Sequence, residues 1–311
     1  MPIPVNVLLV HGIGISEPEW ARRIIPCLQQ AAWEEARRLL RESFPPDLNP
    51  EAILVVEAAY WGDVLQARED DLYLRLDQGH QALYGVSGWM QLLWHWLRKK
   101  EYRFVADAIA DILGYLDSEI CVKVQQTLAE SLLRLRQKSP ESASRPPLTI
   151  IAHSLGCVVT SEYVWDRAKA RSAQGQTGFD AGWEFTNFFT LGSPLALFSL
   201  KFGGPEAFKK PIMVEAATGR WVNLFDDDDP IGMPLRLLND AYEKAVFRDV
   251  LVESGLYLLA HDGYFLRSQA PQIIAKKLAV DWAGANGYLA GAPLKEAYAF
   301  YDAWVSGLVS H

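Results

Sequence analysis

Val5-Asn6-Val7-Leu8-Leu9-Val10 is a dense β-branched and leucine run that stops at His11-Gly12-Ile13-Gly14. An apolar run without polar alternation is buried on both faces, as a strand inside a parallel sheet is. Ile53-Leu54-Val55-Val56, Leu148-Thr149-Ile150-Ile151-Ala152, Phe185 to Leu191 and Trp221 to Phe225 repeat the pattern, and Asp249 to Glu253 is a shorter candidate. Between these runs the apolar period changes. Ser16 reads as a helix cap with Glu17-Pro18-Glu19 in the first turn, and Ile24, Leu28, Ala31, Ala32 and Leu39 follow at helical spacing. That helix has to end before Pro45-Pro46. A second helix runs through Val158, Val159, Tyr163 and Val164 to about Arg171, and Tyr264 to Trp282 and Leu294 to Leu308 also read as helical. Strand alternating with helix specifies an α/β fold, a mostly parallel central sheet flanked by helices.

Residues 64–138 interrupt this rhythm. Helical periodicity dominates there, and Trp89, Trp94 and Trp96 concentrate the aromatic content. The Ser/Pro-rich stretch from Ser139 to Pro147 marks the return to the sheet. The segment reads as a helical cap inserted into a single domain spanning residues 1–311. Residues 88–100 are apolar and aromatic, then turn basic at Arg98-Lys99-Lys100. Contact with a lipid surface is one reading of that pattern. Packing on the core explains the tryptophans equally well and is preferred. A helical cap implies an enclosed, apolar pocket, which favours an apolar acyl group in the substrate.

Composition narrows the partners. Half of the 311 residues are hydrophobic and 22% are charged, the balance of a soluble globular chain. A net charge of −8 leaves no basic stripe for phosphates, so nucleic acid is not an expected partner. The first residues read as a strand rather than a signal peptide, and no run reaches the roughly 18 apolar residues of a membrane span. Cys27, Cys121 and Cys157 lack metal-ligand spacing and read as free thiols in a reducing compartment. A cytoplasmic protein with no metal and no cofactor is the expectation.

The strongest chemical signal is Ala152-His153-Ser154-Leu155-Gly156, directly between an apolar strand and a helix. A serine at such a turn is expected to be pushed into solvent at the C-terminal edge of the sheet, and small residues two before and two after it let strand and helix approach closely. The Leu155 N–H, at the helix start, is placed to meet an oxyanion. Ser193 competes, but Gly192-Ser193-Pro194 lacks the following small residue, and Pro194 removes an N–H.

Ala152 to Gly156 resembles the nucleophile motif of lipases and esterases in the α/β-hydrolase superfamily, with alanine where glycine is usual. His11-Gly12 resembles their oxyanion loop, and Leu191-Gly192-Ser193-Pro194-Leu195 resembles the segment after their next core strand. The resemblance runs from about residue 5 to 283, outside the helical insertion. It implies the α/β-hydrolase fold and ester or amide hydrolysis through an acyl-enzyme on Ser154. The family's order of serine, acid, histidine selects His261 from six histidines, in Ala260-His261-Asp262-Gly263-Tyr264-Phe265. The acid lies in Asp226-Asp227-Asp228-Asp229-Pro230. The resemblance favours Asp229, before the proline, with Asp228 as the alternative, and the cluster also reads as a solvated acidic loop or weak cation site. Ile13, after His11-Gly12, is implied as the second oxyanion donor beside Leu155. His11, Gly12 and His153 lie in the two motifs and are expected to line the substrate. The expected activity is serine carboxylic-ester hydrolysis of a small-molecule ester. Acyl transfer by the same residues, or a hydrolase-like binding protein without turnover, remain open.

Overall fold

The computed structural model describes residues 2–12, 19–61, 118–139, 145–255 and 258–308. The elements in chain order are β1 (Val5–Val10), α1 (Glu19–Leu40), β2 (Leu54–Ala59), α2 (Ser118–Lys138), β3 (Pro147–His153), α3 (Leu155–Ser172) and β4 (Glu184–Leu191). They are followed by α4 (Leu195–Phe198), β5 (Arg220–Phe225), α5 (Asp240–Ala245), β6 (Arg248–Leu251), α6 (Leu258–His261), α7 (Ala270–Ala285) and α8 (Gly291–Gly307). The six strands form one sheet in the order β2-β1-β3-β4-β5-β6, and every pairing is parallel.

Side chains of one strand alternate between the two faces, and two separate cores result. Leu8 and Val10 of β1 join Ile150 and Ala152 of β3 beneath α2 and α3. Val7 and Leu9, one position out of phase, join Ile151 and Phe189 beneath α1, α7 and α8. This double burial is why the strands are mostly apolar on both faces, with Asn6, Thr149, Asn187 and Asn223 buried among them. Each fully buried valine or leucine contributes about 1.5–3 kcal/mol.

The strand order places the site. From β1 the chain moves outward to β2, then returns to the other side of β1 as β3 and continues through β4, β5 and β6. The strand order thus reverses between β1 and β3, and Ser154 follows β3 at the C-terminal end of these neighbouring strands. Open parallel sheets bind their ligands at such a switch point.

Where the expected elements fall on described residues they agree in place with one correction, and the expected helix start at Ser16 lies outside the described residues. The segment from Tyr264 to Gln269 is a series of turns, and α7 starts only at Ala270. The Ser268 hydroxyl accepts the Ala270 N–H at 3.0 Å, and a proline sits in the first turn, so capping chemistry sets this start. Of the expected helical insertion at 64–138, α2 is described as a 21-residue helix, and the remainder lies outside the described residues. Residues 88–100 fall there too. No helix among the described residues is long and apolar enough to cross a membrane.

Candidate active site

Ser154 stands between β3 and α3 with φ 56° and ψ −133°, a backbone region that non-glycine residues rarely adopt. Its own bonds hold it there. The Ser154 N–H donates to the Leu191 carbonyl at 2.9 Å, and the Ser154 carbonyl accepts the Cys157 N–H at 2.9 Å. Two glycines allow the surrounding chain to close in. A Cβ on Gly156 would lie 2.4 Å from the His11 carbonyl oxygen, so only glycine lets α3 begin against the end of β1. A Cβ on Gly12 would lie 2.3 Å from Ser154 Cβ and 2.9 Å from its Oγ. The backbone after β1 thus runs directly beside the serine hydroxyl. Cys157 is no competing nucleophile, because burial pushes its thiol up to about 12.

The hydroxyl belongs to a chain of hydrogen bonds. Ser154 Oγ is 2.7 Å from His261 Nε2, and His261 Nδ1 lies 3.0 and 2.9 Å from the two carboxylate oxygens of Asp229. All three residues are buried, Ser154 completely, so the serine is not the solvent-facing one its turn predicts: the chain at Gly12 and the His261 ring close over it. The Asp229 carboxylate has further donors: the Ile231 N–H on Oδ1 at 2.9 Å and the Tyr264 hydroxyl on Oδ2 at 2.8 Å. Burial alone would raise this carboxyl, but the hydrogen bonds from His261, Ile231 and Tyr264 hold it below the usual carboxylate range.

Only one of the four consecutive aspartates reaches the histidine. Asp227 and Asp228 are exposed, whereas Asp229 is buried against His261 Nδ1. Asp226 is buried and builds the turn instead. Its Oδ1 accepts the Asp228 N–H at 2.9 Å, its carbonyl accepts the Asp229 N–H at 3.0 Å, and its Oδ2 accepts the Ser254 N–H at 2.6 Å. The Ser254 hydroxyl is 2.7 Å from both Asp226 Oδ2 and the Ala260 carbonyl oxygen, which links the acid's turn to the segment carrying His261.

The two other histidines among the described residues have other partners. His11 Nε2 accepts the Trp61 N–H at 3.1 Å, and its ring stacks on the Trp61 indole at 5.0 Å. It ties the end of β1 to the end of β2. His153 Nε2 donates to the carbonyl oxygen of His261 at 2.7 Å, with the two rings 4.8 Å apart. Its ring also packs against Tyr264 and Phe265. Leu155 is buried at the first position of α3, where backbone N–H groups lack helical partners. Ile13 lies outside the described residues. Tyr264, Asp226, Gly192 and Gly232 were not anticipated as site residues. Among the described residues no three His, Cys, Asp or Glu side chains cluster as a metal site.

Burial, then the proximity of His261, lowers His153 from about 6.5 to about 3, so it is neutral in the folded chain. The unfolded chain binds a proton here below about pH 6.5 that the folded chain refuses until about pH 3. Stability therefore falls as pH drops through that window, by up to about 1.4 kcal/mol per pH unit for one proton. His153→Asn, which keeps a donor for the His261 carbonyl, is expected to flatten the slope of urea-unfolding stability between pH 6 and 4. An unchanged slope would mean that His153 is not held neutral. The depressed Asp229 carboxyl adds stability above its unfolded value that is lost as pH falls through its folded one.

No protein-family model matches the chain, and no curated protein matches it in sequence.

Proposed function

We propose that this chain is a serine hydrolase of the α/β-hydrolase type that cleaves a carboxylic ester through an acyl-enzyme on Ser154. The observation that carries this reading is the hydrogen-bonded line from Ser154 Oγ through His261 to Asp229, at 2.7 and 2.9 Å. Its setting adds support: a strained serine at the switch point of a parallel sheet, beside a helix N-terminus.

His261 Nε2 takes the Ser154 proton as Oγ attacks the ester carbonyl carbon. The resulting oxyanion meets the Leu155 N–H and, by the resemblance of the His11-Gly12 turn, the N–H of Ile13. Losing one such donor lowers turnover on the order of 10²–10³. The imidazolium then protonates the departing alkoxide, and the ester C–O bond breaks. Water, deprotonated by the same nitrogen, attacks the acyl carbon; the bond to Ser154 Oγ breaks, His261 returns the proton to Oγ, and the acid leaves. Asp229 keeps the proton of the neutral base on Nδ1 and stabilises the imidazolium. Half-buried Trp20 and Tyr60, with Phe265, surround the ends of β1 and β2 and favour an apolar acyl group.

A fluorophosphonate probe tests this directly. One label per chain, mapped to Ser154 and absent from Ser154→Ala and His261→Ala, is the expected result. A folded parent chain that stays unlabelled with and without detergent would overturn the reading.

A further inference from the structure

Asp229 must present a fixed face to His261, yet both of its oxygens lie within reach of Nδ1, at 3.0 and 2.9 Å. A carboxylate so placed is free to rock unless something else holds each oxygen. The Ile231 N–H holds Oδ1 at 2.9 Å, and the Tyr264 hydroxyl holds Oδ2 at 2.8 Å. Tyr264 sits three residues after His261 in the same tight turn, where the Gly263 N–H bonds the Ala260 carbonyl at 3.0 Å. One turn thus delivers two donors to one carboxylate.

The space for this ring is built by two glycines from elsewhere in the chain. Gly192, at φ +55°, would place a Cβ 2.8 Å from both Asp229 Oδ2 and Tyr264 Cε2. A Cβ on Gly232 would fall 2.6 Å from Asp229 Oδ2 and 2.8 Å from the Tyr264 hydroxyl. Any side chain at either position would expel the phenol or the acid. Tyr264 is itself completely buried, and its hydroxyl is spent on Asp229.

We propose that Tyr264 is a positioning residue of this site, pinning the Asp229 carboxylate and drawing charge from it, and so setting the pH at which His261 becomes a competent base. The inference rests on the hydrolase reading for its kinetic consequences, and on geometry alone for the hydrogen bond. Burial, then the charge of Asp229, pushes the phenol well above its usual range, so it remains a donor at every working pH. The other charged and titratable groups around the pair are Asp226 after β5, His153 at the end of β3, His11 at the end of β1, and exposed Asp262 and Arg267 in the base's own turn. None of them donates to Asp229 among the bonds described.

The sign follows from charge. Removing the phenolic donor leaves more negative charge on Asp229, favours the imidazolium, and moves the acid limb of reactivity to higher pH. Losing the pin also slows the reaction, by about tenfold for a hydrogen bond to a charged group.

The test compares the full-length parent, Tyr264→Phe, and a chain carrying 3-fluorotyrosine at position 264. Fluorophosphonate labelling rates across pH and the far-downfield proton resonance of the His261–Asp229 hydrogen bond are read on each. The phenylalanine variant is expected to label about tenfold more slowly, with its acid limb at higher pH and its resonance moved. The fluorinated phenol, a stronger donor, should move the acid limb the opposite way without changing the fold. Unaltered acid limbs and an unmoved resonance in both variants would overturn the assignment. The resonance needs no probe chemistry, so it judges Tyr264 even where the parent fails to label and the hydrolase reading falls.

Discussion

Replacing Asp229 by asparagine is expected to slow fluorophosphonate labelling of Ser154 by about 10³–10⁴-fold, whereas Asp228→Asn should stay within about twofold of the parent. The difference follows from what each side chain touches. Both oxygens of Asp229 accept two hydrogen bonds: His261 Nδ1 with the Ile231 N–H on one, His261 Nδ1 with the Tyr264 hydroxyl on the other. An amide NH₂ at either place faces donors and must displace one of them. Where it faces Nδ1, it turns that nitrogen into an acceptor and drives the proton to Nε2. The base then carries a proton on the atom that has to take one from Ser154 Oγ, 2.7 Å away. Asp228 is exposed, and its backbone N–H, not its carboxylate, takes part in the turn. Pseudo-first-order labelling rates of the two variants decide the matter. A severe loss in Asp228→Asn with a mild one in Asp229→Asn would reverse the assignment of the acid.

The second large effect is on stability. Gly12→Ala places a methyl 2.3 Å from Ser154 Cβ and 2.9 Å from the His153 carbonyl oxygen. Neither neighbour is the free end of a flexible chain, so the loop after β1 has to move, at a cost of about 2–3 kcal/mol. The nucleophile moves with it, and labelling should fall by at least about a hundredfold, the effect of a misplacement near 1 Å. Ser154→Gly acts in the opposite direction. Ser154 holds φ 56° and ψ −133°, strain on the order of 1–3 kcal/mol that glycine relieves. Allowing for the extra freedom glycine has when unfolded, the net gain should be about 1 kcal/mol. The double variant is the sharper test. With Ser154 Cβ gone, the Gly12→Ala penalty should fall by at least half in urea unfolding, a coupling expected only of residues in contact. Strict additivity would show that the close approach is absent in solution.

The sheet was legible because a parallel strand buried on both faces leaves a mostly apolar run without regular polar alternation, as in β1 and β3, where Asn6 and Thr149 stand among apolar residues. The strained turn was legible because Ser154 stands directly between such a run and a helix, with Gly156 two positions on. Asp229 was separable from Asp228 only by the proline after it, and burial decides between them in space. Tyr264 was hidden for a different reason. Its segment was read as the opening of a helix, since Tyr264, Phe265 and the apolar positions after Ala270 fit a helical period together. Capping by Ser268 breaks that continuity and frees the phenol to turn toward Asp229. Asp226 reaches Ser254 across 28 residues, and His153 reaches the His261 carbonyl across 108. No local period encodes such bonds. The glycine at 192 was visible within a recognisable segment, but that its missing side chain makes room for an acid and a phenol is a fact of packing between loops.

His261 hangs from a short edge of the sheet. β6 is four residues long and pairs with β5 alone, and the chain passes from it through Ser254 to His261. The serine, by contrast, follows a central strand with neighbours on both sides. Edges fray at lower free energy than centres. If Ser154 labels as proposed, its labelling should be lost on heating before the sheet melts, because His261 leaves its side while Ser154 is still folded in place.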